Sequence, residues 1–82
     1  MKAITTKYYG PTSTHAPRMK AWDMDGNSIL HHFDCLSSLE ENHNDIARGL
    51  CQKMAWSGTL VSGDIEGGKV YVFISPGSVV EL

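Results

Sequence analysis

One stretch constrains the fold more than any other. Residues 37–58, SSLEENHNDIARGLCQKMAWSG, form the only segment with a sustained helical period. Leu39, His43, Ile46, Ala47, Leu50 and Met54 recur at spacings of three and four, which places them on one face of a helix. Ser38 followed by Glu41 is a capping box, and Ser37 with Glu40 offers the same device one residue earlier. Glu40, Glu41 and Asp45 fall near the positive end of the helix dipole, and Arg48 and Lys53 toward its negative end. Gly58 stands where a left-handed residue would end the helix. The chain therefore contains one amphipathic helix, and that helix needs a sheet to cover its stripe.

Elsewhere the pattern has period two. Residues 2–9 are rich in Ile, Thr and Tyr and read as a strand, with Ile4, Thr6 and Tyr8 on one face and Thr5, Lys7 and Tyr9 on the other. Gly10-Pro11 breaks that strand, and residues 10–17 (GPTSTHAP) are loop-forming throughout. Residues 18–23 resume extended structure. Asp25-Gly26 then predicts a tight hairpin in which both central positions favour positive φ, with the return strand over residues 27–33. After the helix, residues 59–65 and 69–74 flank Glu66-Gly67-Gly68, a second hairpin signal. Residues 70–74 are apolar on both faces, as suits a strand inside the sheet. Pro76-Gly77 ends it, leaving residues 78–82 as a tail or a brief edge strand.

The element order is β-β-β-α-β-β. It predicts an α+β fold, one helix packed on a five-stranded, mostly antiparallel sheet, in a single domain of residues 1–82. The expected core is Ile4, Leu30, Leu39, Ile46, Leu50, Met54, Leu60, Val70 and Val72. The sequence supplies no second helix, so the opposite sheet face is expected to be solvated or to meet a partner.

Composition narrows the function classes. A chain of 82 residues buries only roughly 60–65% of its unfolded surface, so its core is small. No apolar stretch approaches the ~20 residues of a membrane span. The start, MKAITTKYYG, lacks an apolar run of signal-peptide length, so residence in a cytoplasm is expected, with Cys35 and Cys51 as reduced thiols. Net charge is −2 and the pI is near 6.0. A protein that neutralises phosphates usually carries a positive excess, so the balance counts against nucleic acid. Nor do nine acidic residues, spread along the chain, make the dense carboxylate array of a DNA mimic.

Four groups of residues have the chemistry to form a site. Lys7 and Tyr9 share parity on the first strand, as do Arg18, Lys20 and Trp22 on the second. If these strands pair, cations and aromatic rings share one surface. Such surfaces hold single-stranded nucleic acid, yet Trp, Tyr and Arg also dominate protein interfaces. Alternating cations on a solvated strand explain the same pattern with no ligand at all. His31, His32, Asp34, Cys35 and His43 are metal-ligand types, but adjacent residues on a strand point to opposite faces and no recognised ligand spacing is present. No metal or other cofactor is expected. Cys35 or Cys51 with a histidine could make a nucleophile, but Cys51 lies beside the apolar stripe and acidic residues flank Cys35. Gly67-Gly68 and the turn at Gly10 open no helix, so neither forms a phosphate loop. Trp56, just before the expected helix stop, is read as a seal on the end of the core.

Several stretches together resemble a known group. ITTKYYGPT at residues 4–12, RMKA at 18–21, ENHNDIARGLCQKMAWSGTLVSG at 41–63 and VYVF at 70–73 resemble a set of small proteins of bacteriophages, prophages and other mobile elements. That set has no established activity, so the resemblance transfers no site residue; it implies a small accessory protein made inside a bacterial cell. By analogy with other phage accessory proteins, it implies an inhibitor of the anti-CRISPR type. The expectation is a non-enzymatic binding protein that occupies a host protein or nucleoprotein complex, with no role for a membrane and a homodimer possible. Lys7, Tyr9, Arg18, Lys20 and Trp22 are the expected contact surface. The competing expectation is a single-stranded nucleic-acid or RNA-binding module using the same residues.

Overall fold

Three strands, β1 (Ala3–Tyr9), β2 (Arg18–Asp23) and β3 (Ser28–His32), precede helix α1 (Leu39–Met54) in the computed structural model, which describes residues 3–74. Strands β4 (Leu60–Ile65) and β5 (Gly68–Phe73) follow the helix. All five form one sheet in the order β3-β2-β1-β5-β4, with every neighbouring pair antiparallel. The fold is the expected α+β arrangement, one helix against one face of a five-stranded antiparallel sheet. β1 becomes the central strand because β2 pairs with one of its edges and β5 with the other. The expected tail at residues 78–82 and the Pro76-Gly77 stop lie outside the described residues.

The helix start follows its sequence signal. Ser38 is extended, at φ −67° and ψ 164°, and its Oγ accepts from the Glu41 N–H at 3.1 Å. The same hydroxyl donates to Glu41 Oε1 at 3.2 Å, so the box closes through the two side chains. Asn42 adds a tie that the stripe pattern did not indicate. Its buried amide accepts from the Asp34 N–H at 2.8 Å and donates to the carbonyls of Asp34 at 2.9 Å and Ser38 at 2.8 Å. One side chain thus binds the incoming loop to the first turn.

The helix ends three residues before the expected glycine. Ala55 is the left-handed residue, at φ 58° and ψ 33°. Its N–H bonds to Gln52 O, and the Trp56 N–H to Cys51 O at 2.9 Å, the paired pattern of a Schellman stop. Gly58 has positive φ as well, but its role is close approach: a Cβ there would lie 3.1 Å from the Phe73 ring. Trp56 is half-buried and meets Phe73 edge-to-face, with centroids 6.4 Å apart.

The first hairpin also differs from expectation. Of its turn residues only Gly26 has positive φ, at 88°. The turn is shaped instead by Asp23, a buried carboxylate that accepts from the N–H groups of Asp25 and Asn27, each at 2.9 Å, and from the Asn27 side chain.

The core lies between α1 and the face of the sheet carrying Ile4, Met19, Ala21 and Tyr71, into which Ile46, Ala47, Leu50 and Cys51 project. Ile4, Ile46 and Leu50 are buried as expected, and Met54 and Leu60 pack against them half-buried. Leu30 and Leu39 are not core: they are 52% and 51% exposed. Leu30 lies on the face away from the helix, opposite Lys20. Leu39, the first helical residue, lines a surface cavity of about 430 Å³ with Tyr8 and Lys69. Val70 and Val72 are half-buried on the far face, because the register pairs Tyr71 with Ile4 and turns Tyr71 inward. A strand apolar on both faces gives no parity signal, and a single-residue shift exchanges the two sets.

Candidate functional site

The register puts Lys7, Tyr9, Arg18, Lys20 and Trp22 on one face, the face α1 leaves open. Tyr9 is paired with Arg18, Lys7 with Lys20 and Thr5 with Trp22. These positions alternate with Ile4, Thr6 and Tyr8 on β1 and with Met19 and Ala21 on β2, which turn toward the helix. All five residues that the sequence nominated therefore share one surface.

Within that surface, cations and rings are in contact. Lys7 Nζ lies 5.2 Å from the centroid of Tyr9, and the Arg18 guanidinium carbon lies 5.7 Å from the same centroid. Lys20 Nζ lies 5.5 Å from the centroid of Trp22. Each contact contributes on the order of 0.5–1 kcal/mol at an exposed site, and each holds its ring and its cation in a fixed relation. Arg18 Nε is buried and has no hydrogen-bond partner among the described residues.

Charge is segregated across the sheet. The strands carry two carboxylates, Asp23 and Asp64. Asp23 is buried at its hairpin, and Asp64 pairs with Lys69, which lies in register with Thr6 on the helix side. No strand position on the open face holds an acid, whereas three hold Lys or Arg and a fourth holds His32, opposite Arg18. Glu40, Glu41 and Asp45 lie on the helix and Asp64 on the helix side of the sheet, while Glu66, in the β4–β5 turn, borders the open face. A net charge of −2 thus conceals a positive face. Lys7 and Lys20 stand directly opposite one another, an arrangement that costs stability in a sheet. Lys7 contacts the Tyr9 ring and Lys20 the Trp22 ring, which offsets part of that cost.

A shallow depression of about 270 Å³ lies on this face, lined by Thr5, Lys7, Tyr9, Trp22 and the Glu66-Gly67-Gly68 turn. Gly68 is required there. A Cβ at Gly68 would stand 1.9 Å from the Thr6 carbonyl oxygen, so β5 approaches β1 this closely only without a side chain.

The helix side carries a different set of polar groups. Thr6 Oγ1 lies 2.7 Å from His43 Nδ1, and both residues are buried. Burial, followed by the nearby Lys69 charge, holds the His43 imidazole below its ordinary pKa, with Asp64 opposing. Lys69 Nζ donates to Asp64 Oδ1 at 2.8 Å and lies 3.9 Å from Glu40; these contacts lower the Asp64 carboxyl and raise the Lys69 ammonium. The Tyr71 hydroxyl donates to Asn44 Oδ1 at 2.6 Å, and burial pushes its pKa up to about 12. Sequence reading passed over Thr6, Asn42, Asn44 and Tyr71. Asn42 and His43 did carry a signal, since His43 is a polar residue within the apolar helix stripe and Asn42 is its neighbour, four residues before Ile46.

A groove of about 550 Å³ separates α1 from β4 and is lined by Arg48, Gln52, Trp56, Leu60 and Phe73, among others. Cys51 borders it with a thiol that burial pushes up, and Cys35 is exposed; both are free. His31 pairs with Met19 and His32 with Arg18, so the two imidazoles belong to opposite faces. Among the described residues, no group of three or more His, Cys, Asp or Glu is placed to hold a metal. No helix among them is long and apolar enough to cross a membrane.

Comparison with protein-family models, with curated proteins and with solved structures finds no match to this chain.

Proposed function

We propose that this chain is a non-enzymatic binding protein that acts through the open face of its sheet and occupies a host protein or nucleoprotein complex. Its sequence resemblance to small phage and mobile-element proteins supports an accessory or inhibitory role, of the anti-CRISPR kind, inside a bacterial cell. The observation that carries the reading is the open face on which Lys7, Arg18 and Lys20 contact Tyr9 and Trp22, with no acid at any of its strand positions. Rings held by cations on an open sheet supply flat contact area, and the positive field selects a partner with a negative surface. The folding core lies wholly on the other side of the sheet, so none of these five residues is needed to fill it.

Affinity capture from bacterial lysate tests this reading, with wild-type chain and the Lys7→Glu/Lys20→Glu variant as paired baits. The expected result is a defined partner retained by the wild type at low salt, released as salt rises, and absent from the variant. A partner retained equally by both baits would move the binding surface elsewhere.

A further inference from the structure

We infer that the part of the partner touching this face is a single strand of nucleic acid, held by its bases on Tyr9 and Trp22 and by its phosphates on Lys7, Arg18 and Lys20. The inference rests on the binding role proposed above and names its ligand. Three features favour a nucleic-acid strand over an acidic protein surface.

The first is the arrangement of charge. Lys7 and Lys20 face each other across β1 and β2, and Arg18 lies two register pairs further along, in the next pair on the same face. A row of like charges with no carboxylate at the intervening strand positions, and Glu66 only at the bordering turn, suits a continuous polyanion better than single matched carboxylates. The second is the spacing of the rings. Trp22 is in register with Thr5, four residues along β1 from Tyr9, so the two platforms stand ~13 Å apart along the strands. The lysine pair lies between them. A strand of a few nucleotides crossing this face meets a ring, a cation pair, and then a ring with its arginine. The third is the depression shared by Tyr9, Trp22 and Lys7, where Gly67 and Gly68 leave room for a flat ring and Glu66 stands at the turn beside them. Stacking needs an exposed base face, which a single strand offers and a duplex does not.

Net charge is the objection, and apart from Glu66 at the bordering turn it concerns the helix side and the loops rather than this face. At 0.15 M salt a charge is screened beyond roughly 8 Å, so acidic groups on the helix side act weakly across the sheet.

The test is titration of a fluorescein-labelled strand of about a dozen thymidines with wild type, Trp22→Ala and Lys20→Ala, checked by circular dichroism. Trp22 and Lys20 lie on the open face, outside the core cluster, so both variants are expected to fold. The inference predicts binding whose logarithm falls with log salt at a slope of about −2 for three phosphate contacts, made shallower by about 0.7 in Lys20→Ala. Trp22→Ala is expected to weaken binding by about tenfold or more, and the matched duplex to compete poorly. Absence of binding at low salt, equal competition by duplex, or an unaffected Trp22→Ala would overturn it. If the strand does not bind, yet a host protein is captured by wild type and lost in Lys7→Glu/Lys20→Glu, then the ligand assignment fails and the binding role stands. If neither is seen, both fail.

Discussion

The hydroxyl of Thr6 meets Nδ1 of His43 at 2.7 Å, joining the central strand of the sheet to the helix through one buried polar contact. Protonating His43 would place a charge in a buried position already under the influence of Lys69, which is why its pKa is lowered on folding. The unfolded chain therefore binds a proton more readily than the folded one. Stability from this group is present above about pH 6.5, the ordinary value, and is lost as pH falls through that value toward the lower folded one. Melting temperature measured from pH 8 to 5 is expected to fall across that window, and the fall is expected to flatten in His43→Gln.

Asn42 holds the entry to the helix by bonds to four backbone groups. Asn42→Ala would leave the Asp34 N–H to find another partner, while the Asp34 and Ser38 carbonyls keep their backbone donors, at a cost of about 1–3 kcal/mol. Chemical denaturation is expected to show a lower midpoint with an unchanged m-value, and no change in the binding tests.

Ala55 carries a left-handed backbone without being glycine. That conformation costs a residue with a Cβ roughly 1–2 kcal/mol, against roughly 0.5–1 kcal/mol of extra unfolded-chain entropy for glycine. Ala55→Gly is thus expected to raise stability by about 0.5–1 kcal/mol, read as a higher denaturation midpoint. An Ala55→Val change is expected to lower it.

Fold and face were legible in the sequence to different depths. The capping box, the helical spacing from His43 to Met54, and the two turn signals have local causes, so residue type alone located six elements in the right order. Strand parity on β1 and β2 was legible because their polar and apolar residues alternate, and this brought the five nominated residues together. Parity on β5 was not, since Val70, Tyr71 and Val72 are all apolar enough for either side. The helix stop was misplaced because the glycine signal at Gly58 answers to Phe73, a contact 15 residues away. The segregation of charge was also hidden, since it arises from sheet order and not from composition.

Gly68 permits β5 to lie against β1, and a methyl group there would collide with the Thr6 carbonyl. Gly68→Ala is expected to destabilise the protein by about 1–3 kcal/mol or more, because backbone must move to make room. Amide hydrogen exchange is expected to rise first in the β1–β5 ladder, from Ala3 paired with Val72 to Lys7 paired with Gly68.

The central claim is that the protein works through the sheet face opposite its helix. Site-specific photocrosslinking in a bacterial cell separates that face from the rest. Leu30 is 52% exposed on the open face, and Gln52 is exposed on the helix, at the rim of the α1–β4 groove. A photoreactive amino acid at position 30 is expected to give a discrete crosslinked product that is lost in the Lys7→Glu/Lys20→Glu background, with none from position 52. Crosslinking from position 52 alone, or from position 30 unchanged by the charge reversal, would contradict the account.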